Sequence, residues 1–290
     1  MCFTRALWRA AIGVSSAVVR GGTLARNRLQ RRSAHESSSV TEHPLRPASH
    51  PISRAASADA HAGALRRVFA TLLRLFWLKA LGITVFMSVF FVGYFHLLRH
   101  PSQPPIEMPL TAIDRWIPFE PWALWPYVSL WFYVTLPPSL LGTFRSLLAY
   151  GSWIGALCIA GLACFYWWPT AVPRLETPTT DLAGFDLLRG VDASGNACPS
   201  LHVATATFSA IWLDRLLRNL VLPAWLRGAN ALWFGLIVWS TLATRQHVWW
   251  DVVAGLALAL LFTPLSLRWD GLPRRGDIMA PLGTRAGQGR

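Results

Sequence analysis

Apolar runs long enough to cross a bilayer alternate along this chain with polar, proline-broken stretches, and that alternation predicts its architecture. A hydrocarbon core takes about 20 helical residues. Residues 75–98 form the first such run, with Arg66, Arg67, Arg74 and Lys79 at its start and Arg99 behind it. Residues 100–121 carry six prolines with Glu107, Asp114 and Glu120, the pattern of an extramembrane loop, because proline removes backbone donors and breaks helices. Trp116, Trp122 and Trp125 at its end suit interface anchors. A second span is expected over 122–141, where Pro126, Pro137 and Pro138 predict a kink or an early end. The third covers 147–168, and a polar stretch, 170–197, follows with four acids, Arg174 and Arg189. Cys198-Pro-Ser-Leu-His202 opens a fourth span that runs to 213. The fifth, 231–243, is short unless 244–250 turns at the interface, and the sixth is 252–267. The expected fold is an all-α polytopic membrane bundle of six transmembrane helices over residues 66–268.

Composition agrees with a membrane protein and changes the picture at the ends. Of 290 residues 53% are hydrophobic, 14% are charged and 16 are Trp. The net charge of +13 does not point to nucleic acid, because the basic residues lie in tails and short loops beside apolar runs, not on one soluble face. Residues 1–65 hold nine Arg against three acids and no sustained apolar periodicity, so they cannot bury enough surface to repay ordering. The first 35, with seven Arg and no acid, have transit-peptide chemistry. A disordered basic tail, or a start site placed too far upstream, explains that composition equally and is the reading adopted. Residues 269–290 form a second basic tail. Four cysteines make no disulfide framework.

The distribution of Lys and Arg sets an orientation. With a cytoplasmic N-terminus, thirteen of the basic residues beyond position 65 fall inside and five outside, while eight acids fall outside and three inside. Both termini are then cytoplasmic, as in a bacterial inner membrane protein. Both remaining motifs share the outer, periplasmic face.

Those motifs hold the only histidines after His100. An ionisable group at a membrane boundary is costly and marks a functional site by default. His247 and Asp251 are four residues apart, one turn on a helix face. The carboxylate fixes the tautomer of the imidazole, so that its other nitrogen can attack phosphorus. In the earlier motif, Pro199 and Ser200 suit a first helical turn, where a hydroxyl and free N–H groups attract phosphate. His202 in that turn can protonate a leaving oxygen. A helix-packing His–Asp pair and a simple serine cap are the competing structural readings. Positive charge for the phosphoryl oxygens would come from Arg245, two residues before His247, or from Arg174, with Arg189 an ordinary loop residue.

Taken together, Pro199-Ser-Leu-His202 and His247-x-x-x-Asp251 followed by Val-Val-Ala-Gly255 resemble the type 2 phosphatidic acid phosphatase superfamily over residues 145–267. The Pro-Ser-Leu-His form, in place of Pro-Ser-Gly-His, looks like the branch related to inositol phosphorylceramide synthases. The resemblance implies His247 as a nucleophile forming phosphohistidine, Asp251 as its orienting partner, His202 as general acid and Ser200 as a phosphate ligand. Two departures accompany it. The family's third motif has an arginine six residues before the histidine, where this chain has Thr241. Its first motif has a lysine and an Arg-Pro pair, of which Pro173-Arg174 is a reduced counterpart, so Arg245 and Arg174 remain the candidate cations.

The expected activity is metal-independent and cofactor-independent hydrolysis of a lipid phosphate or diphosphate. Transfer of a lipid head group to a hydroxyl acceptor is the neighbouring alternative. A non-catalytic lipid-binding protein and a metal site built from Cys198, His202, His247 and Asp251 are alternatives of a different class, the last weakened because only His247 and Asp251 have ligand-pair spacing.

Overall fold

The computed structural model describes residues 68–173 and 195–268, together with Gly63 and Arg66. The chain divides into residues 1–66 and 67–290, and every element below belongs to the second unit. The tails expected over 1–65 (apart from Gly63) and 269–290 lie outside the described residues, as do Arg174 and Arg189.

Helix α1, Phe76–Arg99, is mostly apolar and carries Lys79, which is buried, in its first turn. The Lys79 ammonium donates to the carbonyls of Thr71 at 2.7 Å and Ser139 at 2.8 Å. A buried ammonium needs such partners. Next come a short strand β1, Ile106–Glu107, and α2, Ala112–Trp116, which a reciprocal Thr111–Asp114 capping box starts. Trp116 and Trp125 remain exposed, as interface anchors would.

The expected second span is broken into a 3-10 turn, Pro121–Ala123, and three short helices: α3, Leu124–Val128; α4, Leu130–Tyr133; and α5, Leu136–Ser139. Proline explains the breaks: a ring at 126, 137 or 138 removes the N–H that a continuous helix would use.

Four long helices complete the bundle or lead into it: α6, Phe144–Trp167; α7, Leu201–Asn219; α8, Ala224–Ala243; and α9, Trp249–Arg268. Thr143 caps α6 through the Ser146 amide. Between α6 and α7, strand β2, Thr170–Ala171, pairs in parallel with β1, Ile106 opposite Thr170 and Glu107 opposite Ala171. This two-residue ladder, with an antiparallel bridge from Ala171 to Gly195, departs from an all-α architecture. It ties the two loops expected on one face, and Thr170 then takes the Cys198 amide on its hydroxyl at 2.8 Å, which fixes the start of α7.

Among the described residues, three helices are long and apolar enough to cross a membrane: α1, α6 and α9. Burial explains why α7 falls outside that group. It packs against α6, α8, α9 and the broken segment, and His202, Thr207, Ser209 and Asp214 on it are all buried. A helix enclosed by protein on all sides can be polar where a lipid-facing one cannot. Its polar groups are paired: Asp214 with Arg218 and Arg227, Ser209 with Tyr150, and Thr207 with its own helix.

The core is aromatic and aliphatic, with Leu157, Phe165, Phe208 and Trp212 buried together between α6 and α7. Apolar burial drives little association between helices in lipid, so close backbone approach matters more. Two glycines supply it. A side chain at Gly161 would collide with Leu201, and one at Gly255 with the Ser200 carbonyl, which seats the first turn of α7 against α6 and α9. Gly255→Ala should therefore destabilise the protein by about 1–3 kcal/mol. A lowered melting temperature in detergent is the expected readout, and a wild-type value would show that α7 can slide away without loss.

Candidate functional site

His247 lies just outside α9, so the His–Asp pair does not share a helix face as the spacing suggested. A tighter device brings it together. Helix α8 ends in a Schellman motif: Arg245 is left-handed at φ 58, its amide donates to Leu242 O, and the Gln246 amide donates to Thr241 O. The His247 amide also reaches Thr241 O, at 3.1 Å. Thr241, which stands where the family has an arginine, is fully buried and anchors the histidine through its backbone.

Asp251 lies in the first turn of α9 and is fully buried. Its Oδ2 accepts the Val248 amide at 2.9 Å and sits 3.4 Å from His247 Nδ1. That separation is ion-pair range, short of hydrogen-bond geometry. Such contacts are often long in unliganded sites and tighten when substrate arrives. Among the described residues, His247 Nδ1 and Asp251 Oδ1 are the buried side-chain nitrogen and oxygen atoms left without a hydrogen-bond partner. Buried polar atoms are almost always satisfied, so two orphans on one pair set it apart from the rest of the described core.

Ser200 caps α7, its hydroxyl accepting the Val203 amide at 3.2 Å, and Pro199 stands outside the helix instead of in its first turn. The Ser200 amide donates to the Asp251 carbonyl at 3.0 Å, so the two motifs touch through their backbones. His202 follows two residues into α7. Its ring stacks on Tyr127 with centroids 4.1 Å apart, meets the edge of Trp131, and places Nε2 3.0 Å from the Tyr127 carbonyl. A carbonyl can only accept, so Nε2 carries a proton and Nδ1 is the free atom. His202 and His247 line one cavity of about 710 Å³, walled by Phe90, Phe91, Tyr127 and Trp131.

Of the residues expected at the site, His202, His247, Asp251 and Ser200 come together. Arg245 is adjacent, but its guanidinium donates to the Asp114 carbonyl at 2.5 Å and the Ile117 carbonyl at 3.0 Å, anchoring the α2 turn. Arg174 lies outside the described residues. No group of three or more His, Cys, Asp or Glu side chains able to hold a metal assembles among the described residues, and Cys198 lies on the Thr170 side of the α7 cap.

Two contributors gave no sequence signal. Asp114 is buried, and its Oδ1 accepts the Trp249 amide at 2.7 Å, so the opening N–H groups of α9 are met by two carboxylates, one from 135 residues away. Tyr127 holds His202 from 75 residues away through a backbone atom, which any residue type would supply. A buried acid inside a proline-rich loop was the one available hint.

Three apolar helices of membrane-spanning length, with a histidine pair and a buried carboxylate beside them, fit an integral membrane protein. The sequence matches the PAP2 superfamily over residues 107–265, more than half its length, and the chain belongs to that superfamily, whose general chemistry is phosphatase-type. No curated protein and no solved structure matches it.

The Arg245 contacts carry a prediction. Arg245→Lys keeps the charge but cannot bridge two carbonyls as a planar fork does. Both Arg245→Lys and Arg245→Ala should lose about 1–2 kcal/mol of stability, read as a lower melting temperature. If both variants melt with the wild type, the guanidinium does not anchor α2.

Proposed function

We propose that the protein is an integral membrane phosphatase that releases phosphate from a lipid phosphate or diphosphate, with His247 as its nucleophile. The observation that carries this reading is a single apolar cavity lined by both imidazoles, with a fully buried carboxylate behind one of them.

Nδ1 of His247 faces Asp251, which leaves Nε2 to attack. An N–P bond forms as the bond between phosphorus and the lipid oxygen breaks; His202, whose Nε2 proton stays on the Tyr127 carbonyl, gives that oxygen a second proton, which Nδ1 takes up when the anionic substrate binds. Water then attacks phosphorus, the N–P bond breaks, a proton returns to His202, and phosphate departs. Ser200, whose hydroxyl accepts from Val203 and still has a proton to donate, and the charges of Arg245 and Arg174 stabilise the phosphoryl oxygens. No metal or cofactor enters this scheme. The loops that carry most of the acids pair beside the site, which supports placing it on the outer, periplasmic side with both termini cytoplasmic.

Head-group transfer has one observation in its favour. Leu201, the residue that distinguishes the synthase-like motif, lines the same cavity beside His202, where it would shape the room for a hydroxyl acceptor.

The test uses detergent-purified protein and radiolabelled lipid phosphate with a chelator present. Wild type should release phosphate and retain alkali-stable label. His247→Ala should lose both by at least about 10³-fold, and His202→Ala should slow release by about 10²–10⁴-fold. Wild-type release by His247→Ala would sink the mechanism. Label passing to an added alcohol in preference to water would establish the transferase.

A further inference from the structure

A second cavity, of about 440 Å³, is lined by His202 but not His247 and reaches Lys79. It shares Ile83, Met87, Phe90, Trp131, Leu201 and His202 with the cavity at the histidines, so the two meet along a common wall. On α1 the lining runs from Leu78 in the second cavity to Phe95 in the first. At 1.5 Å per residue that stretch is about 25 Å long. One leaflet's hydrocarbon, half of a core about 30 Å thick, is about 15 Å.

We infer that this groove holds the hydrocarbon tail of the substrate, one chain running from the histidines past the bilayer midplane to Lys79, and that Gly82 and Gly151 set the length it accepts. The inference rests on the lipid phosphate reading above and narrows it to phosphates carrying a single long chain. Three features support it. The walls are apolar along their length, and the chain's polar end would lie where the two imidazoles are. Towards the start of α1 the lining includes Lys79, whose ammonium is held on the Thr71 and Ser139 carbonyls, and a methyl group pressed against a buried charge is unfavourable. Gly82 on α1 and Gly151 on α6 both line the second cavity, and an added Cβ at either meets nothing within 4 Å. A side chain grown there has room, and the room is the groove.

Because lipid or detergent around the protein is as apolar as the groove, length selection must act by exclusion. Gly82→Leu and Gly151→Leu test it, since replacing a helix-interior glycine by leucine favours the helix and keeps the fold. Binding of hexyl and octadecyl phosphate to the full chain is measured by calorimetry in one detergent. Each variant is compared with wild type, so that partitioning into micelles cancels. The octadecyl-to-hexyl ratio of Kd should rise at least about tenfold in both variants, because an obstructed groove forces the tail out of its packing. Gly228→Leu on α8, equally open but lining neither cavity, should keep the wild-type ratio. The same ratio in wild type and both groove variants, an equal rise in Gly228→Leu, or no binding of octadecyl phosphate would overturn the groove. Chain-length-dependent binding with no phosphate release by wild type would overturn the phosphatase reading and leave the groove standing.

Discussion

The site depends on one crossing, where the Ser200 amide meets the Asp251 carbonyl and the Ser200 carbonyl lies over Gly255. Two segments fifty residues apart thereby become a single rigid unit. Everything nearby is referred to it: Ser200 caps α7, His202 follows in the next turn, and Asp251 opens α9 and faces back towards His247. A side chain at 255 would lever the start of α7 off α9. Leu201, wedged against Gly161, prevents the opposite movement. Small residues after the His–Asp motif are thus a packing requirement, since the backbones must touch for the imidazoles to share a cavity.

The polar groups around that crossing follow a consistent economy. Asp114 meets the Trp249 amide and both donors of Thr111, Arg245 meets two carbonyls, Asn196 meets the Tyr94 carbonyl, and Thr170 meets the Cys198 amide. Each bond closes a loop or helix end that would otherwise leave a buried group unpaired, at a cost of about 1–3 kcal/mol apiece. Against that background, His247 Nδ1 and Asp251 Oδ1 stand out as unsatisfied. The unpaired atoms are the ones that face each other across the His–Asp pair the proposed chemistry uses.

Local signals were legible in the sequence and distant ones were not. The histidine motifs, the serine cap, the loop character of 100–121 and the proline breaks in the second segment all arise within a few residues of themselves. The bonds that complete the site join residues 75 to 135 positions apart and use backbone atoms or a lone loop acid, neither of which leaves a pattern. Arg245 shows the limit most clearly. Its position beside His247 suggested a phosphate ligand, but its left-handed backbone belongs to the end of α8, and its guanidinium faces carbonyls that no local spacing could reveal. The span count has the same origin. Hydropathy measures what faces lipid, and α7, enclosed by its neighbours, was free to be polar.

With Thr241 in place of the family's arginine, the phosphoryl charge needs another source of stabilisation. In the proposed scheme Arg245 would add to it, because two of its five N–H groups are directed at carbonyls and its charge lies beside His247. Helix geometry supplies more. Both α7 and α9 begin at the crossing, so the positive ends of two long helices converge there. On α9 that end carries Asp251, in the first turn behind His247. On α7 it falls on the first turn, from which Leu201 and His202 line the cavity and where the proposed phosphoryl group would sit. With Thr241 at this position, the proposed anion site would rest on two helix ends that stay locked together, and the Gly255 contact is what locks them.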